Sequence, residues 1–178
     1  MRLETARLSL FPLTYEQLGL YLRADGSLER SLGLVPRARP IPEALVEAFR
    51  DDILPAMLAD PANAPFATLW TIVERDAGRA VGDLCFKGPP NGDGEVEVGY
   101  GTYDEFRNRG FMSEALGAVC AWALAQPGVR AVAAETETDN APSRRALEKN
   151  GFAPVGAADG RMRWRLDRPA VTAPGAPR

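Results

Sequence analysis

The chain has 178 residues, of which 46% are hydrophobic and 25% charged, with a formal net charge of −3 and an isoelectric point near 5.1. These values suit one packed domain and lack the basic footprint of a nucleic-acid binder. The chain contains no histidine, which excludes histidine-based zinc sites, Ser-His-Asp triads and Cys-His pairs, and no metal site is expected.

TARLSLFPL, residues 5–13, alternates well enough for a first strand. Thr14 then caps a helix through TYEQLGLYLR. Residues 24–40 read as irregular, with Pro36 and Pro40 as breakers. Pro42 suits the first turn of a second helix, PEALVEAFRDDILPAML, which Pro55 kinks or ends. DPANAP, residues 60–65, reads as a loop. Three strands follow at hairpin distances: FATLWTIVE (66–74), AVGDLCFKG (80–88) and EVEVGYGTY (95–103). Met112, Ala115, Leu116, Val119 and Ala123 then recur on one helical face, and Gln126-Pro-Gly stops that helix. VRAVAAE (129–135) reads as a buried strand. DNAPSRRALEKNG reads as a short helix capped by Asp/Asn and closed by Gly151. RMRWRL (161–166) alternates arginine with apolar residues, so one face is buried and one is wet.

The elements predict a single domain over residues 1–168, a mixed α/β layer rather than a regular βαβ array. PAVTAPGAPR, residues 169–178, has nothing to bury and is expected to be disordered. Cys85 and Cys120 lie in apolar stretches, so buried reduced thiols and a cytoplasmic setting are expected. No apolar run approaches the ~18 residues that span a bilayer. The N-terminal MRLETARLSL lacks the apolar core of a signal peptide.

The stretch RNRGFMSEAL, residues 107–116, leaves a strand, crowds arginines around a glycine and opens a helix. A helix N-terminus presents amides with no intrahelical partner and about half a positive charge. Gly110 allows close backbone approach, Arg107 and Arg109 add charge, and Ser113 adds a hydroxyl donor. Together they suit an anion such as a pyrophosphate. An ordinary strand–turn–helix with solubilising arginines is the competing reading. Two other phosphate motifs fail: Gly99-Tyr-Gly101 is followed by Asp104 and no helix, and no Gly-Lys-Ser/Thr ending exists.

Arg107-Asn108-Arg109-Gly110-Phe111-Met112 resembles the acyl-coenzyme A signature of the GNAT superfamily, with Met112 replacing the usual small residue. DNAPSRRALEKNGF, residues 139–152, resembles the family's next segment. TARLSLFPL is similar to the Thr-x-Arg-Leu-x-Leu opening of the branch that contains the ribosomal-protein N-terminal acetyltransferases. The resemblance spans residues 4–167. It implies the GNAT fold: a central mixed, mostly antiparallel sheet, flanked by helices and splayed between EVEVGYGTY and VRAVAAE.

It further implies acetyl-CoA as cosubstrate and direct acyl transfer to a primary amine, on a protein N-terminus or a small molecule. By resemblance Tyr100, Gly101 and Thr102 line the pantetheine arm. Arg107, Asn108, Arg109, Gly110, Phe111, Met112 and Ser113 hold the pyrophosphate, and Asn140 and Ser143 lie near the thioester. Glu97 is the first candidate for the general base and Glu135 the second. Many family members place a tyrosine where this chain has Leu147, so Ser143 is the candidate donor to the leaving sulfur. The irregular segment with Arg30, Arg37 and Arg39 is expected to shape the acceptor groove. Neither nucleic acid nor a membrane is expected as partner, and dimers are common in this fold, so a homodimer stays open. The missing tyrosine and Met112 leave a second reading, a catalytically idle acyl-CoA-binding sensor.

Overall fold

A computed structural model describes residues 1–38, 41 and 43–169, without the side chains of Ala44, Leu45 and Asp52. Arg39, Pro40, Pro42 and the segment from Ala170 onward, to which the sequence assigned a groove contact, helix punctuation and a tail, lie outside the described residues.

The strands are β1 (Leu3–Glu4), β2 (Leu8–Pro12), β3 (Leu69–Glu74), β4 (Arg79–Phe86), β5 (Glu95–Thr102), β6 (Ala131–Glu137), β7 (Ala153–Ala158) and β8 (Arg161–Asp167). They form one sheet in the order β1-β2-β3-β4-β5-β6-β8-β7. All neighbours are antiparallel except β5 and β6. The helices are α1 (Tyr15–Leu22), α2 (Ser27–Ser31), α3 (Glu43–Ala48), α4 (Leu54–Ala59), α5 (Phe111–Ala125) and α6 (Ala141–Lys149).

Alternation along the strands divides the core into two layers. Leu8 and Leu10 of β2, Trp70 and Ile72 of β3, and Val96 and Val98 of β5 pack with Leu116 and Val119 of α5. On the opposite face Phe11, Leu69 and Val73 pack with Leu18 and Tyr21 of α1, Leu28 of α2 and Met57 of α4. Trp164 is fully buried in the first layer and donates from its indole N–H to Thr136 Oγ1 at 3.0 Å. None of the helices among the described residues is long and apolar enough to cross a membrane.

Local chemistry explains most boundaries. Thr14 caps α1 in a capping box with Gln17, which satisfies amides at both ends of the first turn. The stretch expected to be irregular contains α2, and Asp25 bridges Ala38 across it. The expected second helix is two α-helical pieces joined by a wider π turn, Phe49–Ile53. Pro55 falls in the first turn of α4, where its missing N–H would have had no helical partner. DPANAP is a short 3-10 helix rather than an open loop, because Asp60 accepts from the Asn63 amide.

The β5–β6 junction positions everything that follows. β5 pairs β4 from Val98↔Phe86 to Thr102↔Gly82. It pairs β6 only through Glu95↔Ala131, Val96↔Val132 and Glu97↔Ala133. Gly94 starts this short parallel ladder, and its carbonyl accepts from the amides of Arg130 (2.6 Å) and Ala131 (3.3 Å). Its φ is +75°, and a Cβ there would stand 2.6 Å from the Gly128 carbonyl oxygen. We therefore expect Gly94→Ala to cost about 2–3 kcal/mol through left-handed strain and overpacking. Calorimetry should read this as a melting temperature lower by roughly 4–12 °C.

Candidate active site

The turn into α5 builds an anion site from backbone. Asn108 has φ 60° and Gly110 has φ 78° with ψ 2°, so the chain enters the helix through left-handed residues that turn it sharply. The first intrahelical bond at this end runs from the Glu114 amide to the Gly110 carbonyl at 3.1 Å. The amides of Phe111, Met112 and Ser113 therefore precede the helix's own ladder and carry its positive end. Phe111 and Met112 bury their side chains in the core beneath α5. Met112 is thus largely buried in the core while still lining the cleft described below.

These amides open into a cleft of about 650 Å³. Of the residues selected from sequence, Tyr100, Gly101, Thr102, Arg107, Asn108, Gly110, Phe111, Met112, Ser113, Asn140 and Ser143 line it. Among the described residues that line it, Arg107, Arg145 and Lys149 are cations and none is a carboxylate. The second half of β5 forms one wall. From Val98 onward this strand keeps β4 on one edge and, among the described residues, pairs with no strand on the other. An extended amide-bearing ligand could add there as a strand does.

Arg109 does not join the cleft. Its guanidinium stands 3.7 Å from Glu74 and lies over the Phe111 ring at 5.0 Å from the centroid. A carboxylate and an aromatic face hold it on the opposite side of the turn. Glu97 and Glu135 also lie outside it. Both are on the sheet face opposite the buried Val96 and Val98. Glu97 is the last β5 residue paired with β6 and forms an ion pair with Lys87. Glu135 pairs with Arg161 and Arg163 at 3.6 and 3.8 Å.

Across the mouth of the strand gap, Tyr100 Oη and Ser143 Oγ share a hydrogen bond of 2.6 Å. Burial, only partly offset by that bond, pushes the Tyr100 hydroxyl pKa up. It therefore remains protonated through neutral and mildly alkaline pH, and either hydroxyl can be the donor in the shared bond. Asn140 caps α6, accepting from the Ser143 amide at 3.2 Å. The cap fixes the first turn and with it the Ser143 side chain. Leu147 is fully buried in the core. Cys120 is buried, with its thiol pushed up to about 12 by desolvation, and Cys85 is raised by burial as well. Neither thiol is activated as a nucleophile.

A strand pair that parts beside a phosphate-type helix N-terminus is the geometry expected of an acyl-coenzyme A site. The acetyltransferase (GNAT) domain family model matches residues 7–153. The chain belongs to the GNAT acetyltransferase family. Among curated relatives, the Bacillus subtilis (strain 168) protein YjdG, named an uncharacterized N-acetyltransferase, is 37% identical over 83 residues. That stretch covers 47% of this chain and 49% of YjdG. A second Bacillus subtilis protein of the same description, YoaA, is 31% identical over 83 residues, 47% of each chain. The chain therefore spans about half the length of the curated relatives it matches. Solved structures agree in fold. The ribosomal-protein-S5-alanine acetyltransferase from Vibrio fischeri aligns over 96% of this chain and 98% of its own, with TM-score 0.69 and 15% identity. RimL, a ribosomal L7/L12 α-N-protein acetyltransferase solved in complex with coenzyme A, aligns over 94% and 98%, with TM-score 0.68 and 16% identity.

Seen as a GNAT site, the cleft contains residues that sequence reasoning passed over. Pro142, Arg145, Ala146 and Lys149 line it from α6. Their spacing of i, i+3, i+4 and i+7 is one helical face. That periodicity is present in the sequence, but periodicity alone does not say what a helical face meets. Asn150 is the other omission. Its side-chain amide donates to the Ser113 carbonyl at 2.9 Å and the Ala146 carbonyl at 2.7 Å, joining the start of α5 to the end of α6. Gly110→Asp would place a Cβ on a left-handed residue and negative charge at the helix's positive end. Titration calorimetry should show coenzyme A binding weakened about tenfold or more.

Proposed function

We propose that the chain is an N-acetyltransferase that moves an acetyl group from acetyl-CoA directly to a primary amine. The observation that carries this reading is the cleft itself. It joins a β5 edge that is unpaired among the described residues to the amides that open α5, and the described residues on its walls include three cations and no carboxylate. The residues fit the cosubstrate. The α5 amides with Arg107, Arg145 and Lys149 suit its phosphates, and Tyr100 to Thr102 suit its pantetheine amides.

In the reaction the amine nitrogen forms a bond to the acyl carbon, the carbon–sulfur bond breaks, and its electron pair goes to sulfur. The amine must first be neutral. A lysine amine has a pKa of about 10.4 and an α-amine about 7.7–8.0, so a lysine acceptor demands more of a base. Glu97, at the point where the strands part, is assigned that role, with Glu135 as the alternative or as an orienting carboxylate. Ser143 donates to the departing sulfur, and Tyr100 donates to Ser143, which leaves the serine's own proton free for that bond. A cysteine-like thiol has a pKa of about 8.5, so hydrogen bonding suffices to release it near neutral pH.

The acceptor is a protein N-terminus or a small-molecule amine. Likeness in fold to ribosomal-protein acetyltransferases supports the N-terminus as one candidate. Residues 1–168 are proposed as the acetyltransferase domain. The two free thiols support a reducing, cytoplasmic setting.

A screen of amines, peptides and aminoglycosides with radiolabelled acetyl-CoA tests the reading. Labelled product with matching thiol release is the expected result. Tight acetyl-CoA binding without turnover on any acceptor would favour the idle sensor. With an acceptor in hand, Glu97→Gln should lower kcat at neutral pH by about 10²–10⁴-fold while acetyl-CoA affinity stays near wild type; unchanged rates across pH would remove Glu97 from the mechanism. Ser143→Ala should lower kcat by about tenfold, the loss of one hydrogen bond to a charged group, and leave KM for the amine unchanged.

A further inference from the structure

We propose that Arg7, far from the cleft in sequence, is a positioning residue for the diphosphate turn, holding the Glu114 carboxylate out of the site and bracing the turn's backbone. The proposal rests on the coenzyme A reading above. Arg7 lies immediately before β2 and 107 positions from Glu114. Its guanidinium Nε donates to Glu114 Oε2 at 2.7 Å, and its backbone N–H donates to Oε1 at 2.9 Å. The Thr5 hydroxyl donates to the same Oε1 at 2.6 Å. Arg7 Nη1 donates to the Arg109 carbonyl at 3.1 Å, and the guanidinium lies 4.7 Å from the Phe111 ring centroid. A Cβ on Gly110 would stand 3.4 Å from Nη2. One side chain thus touches the residue before the helix cap, the first helical residue and the first-turn acid.

The electrostatics give this contact a purpose. A first-turn carboxylate is favoured by the helix's positive end, which is the same field a phosphate needs. A free Glu114 would compete with that phosphate and repel it. Three donors aim it instead at the β1–β2 edge, and it does not line the cleft. Burial works against its charge, but the hydrogen bonds from Thr5 and Arg7 outweigh burial and hold its carboxyl below the ordinary range. Glu114 is therefore ionised at neutral pH, and loss of Arg7 would leave a charge stranded beside the turn.

Titration calorimetry of coenzyme A with wild type, Arg7→Ala, Glu114→Gln and the double variant tests this, with melting temperatures measured alongside. Arg7→Ala should weaken binding about ten- to a hundredfold, as expected for loss of charge-assisted bonds that leaves a carboxylate unpaired. Glu114→Gln should stay within about threefold of wild type, and the double variant should recover most of the loss. A lower melting temperature for Arg7→Ala with unchanged affinity would overturn the proposal. So would a double variant that binds as weakly as Arg7→Ala. Should Arg7→Ala not fold, Arg7→Lys with and without Glu114→Gln carries the same comparison. An ammonium keeps the charge but not the paired bonds, so affinity should fall and then partly recover; equal affinities overturn the proposal. Wild type that fails to bind coenzyme A would remove the coenzyme reading and this role with it. Wild-type binding matched by Arg7→Ala removes only the role of Arg7.

Discussion

The structure depends on one interrupted ladder. β5 and β6 run parallel for three residue pairs and then part. Had they stayed paired, the second half of β5 would have had no backbone groups to offer a ligand, and the start of α5 would have faced a closed sheet. A sheet can tolerate such a gap only if other bonds hold its two sides. Here Gly94 anchors the ladder where it begins. Beyond it, β4 keeps the freed length of β5 in line, and β8 does the same for β6 over its whole length. The Tyr100–Ser143 bond spans the opening.

The sheet also separates charge. On the α5 side the cleft gathers Arg107, Arg145 and Lys149, with no acid among the described residues that line it. On the other face Glu95, Glu97 and Glu135 alternate with Lys87, Arg163 and Arg165 in a run of ion pairs. The strand period of two produces this division, because adjacent β5 residues point to opposite faces.

Much of this was legible in advance. The three-strand meander, the α5 face, the buried β6 and the alternating β8 follow from local periodicity, and the structure reproduces each to within a few residues. The short turn of α2 and the π turn before Pro55 were not legible, because each depends on how a polar, proline-punctuated segment packs against the second core layer. In the cleft, the stretches near Gly110 and Asn140 were singled out by motifs that resemble those of a family, and the fold brings them to one cavity. Arg109 was misplaced because a sequence cannot say on which side of a turn a guanidinium finds its partner.

By itself the sequence determined the types of the main elements, the glycine that opens α5, the absence of histidine chemistry and the burial of Cys120, while Cys85 is only half-buried. These are properties of single residues and of short periods. Only the tertiary structure decided where the sheet opens, that α6 turns Arg145 and Lys149 toward the cleft, that Glu114 is held by Thr5 and Arg7, and that Tyr100 meets Ser143. Each of these joins parts of the chain that are distant in sequence or set on different elements. The physical reason is that a side chain's charge and hydrogen bonds act over a few ångströms of space, and the neighbours within that range are chosen by the fold.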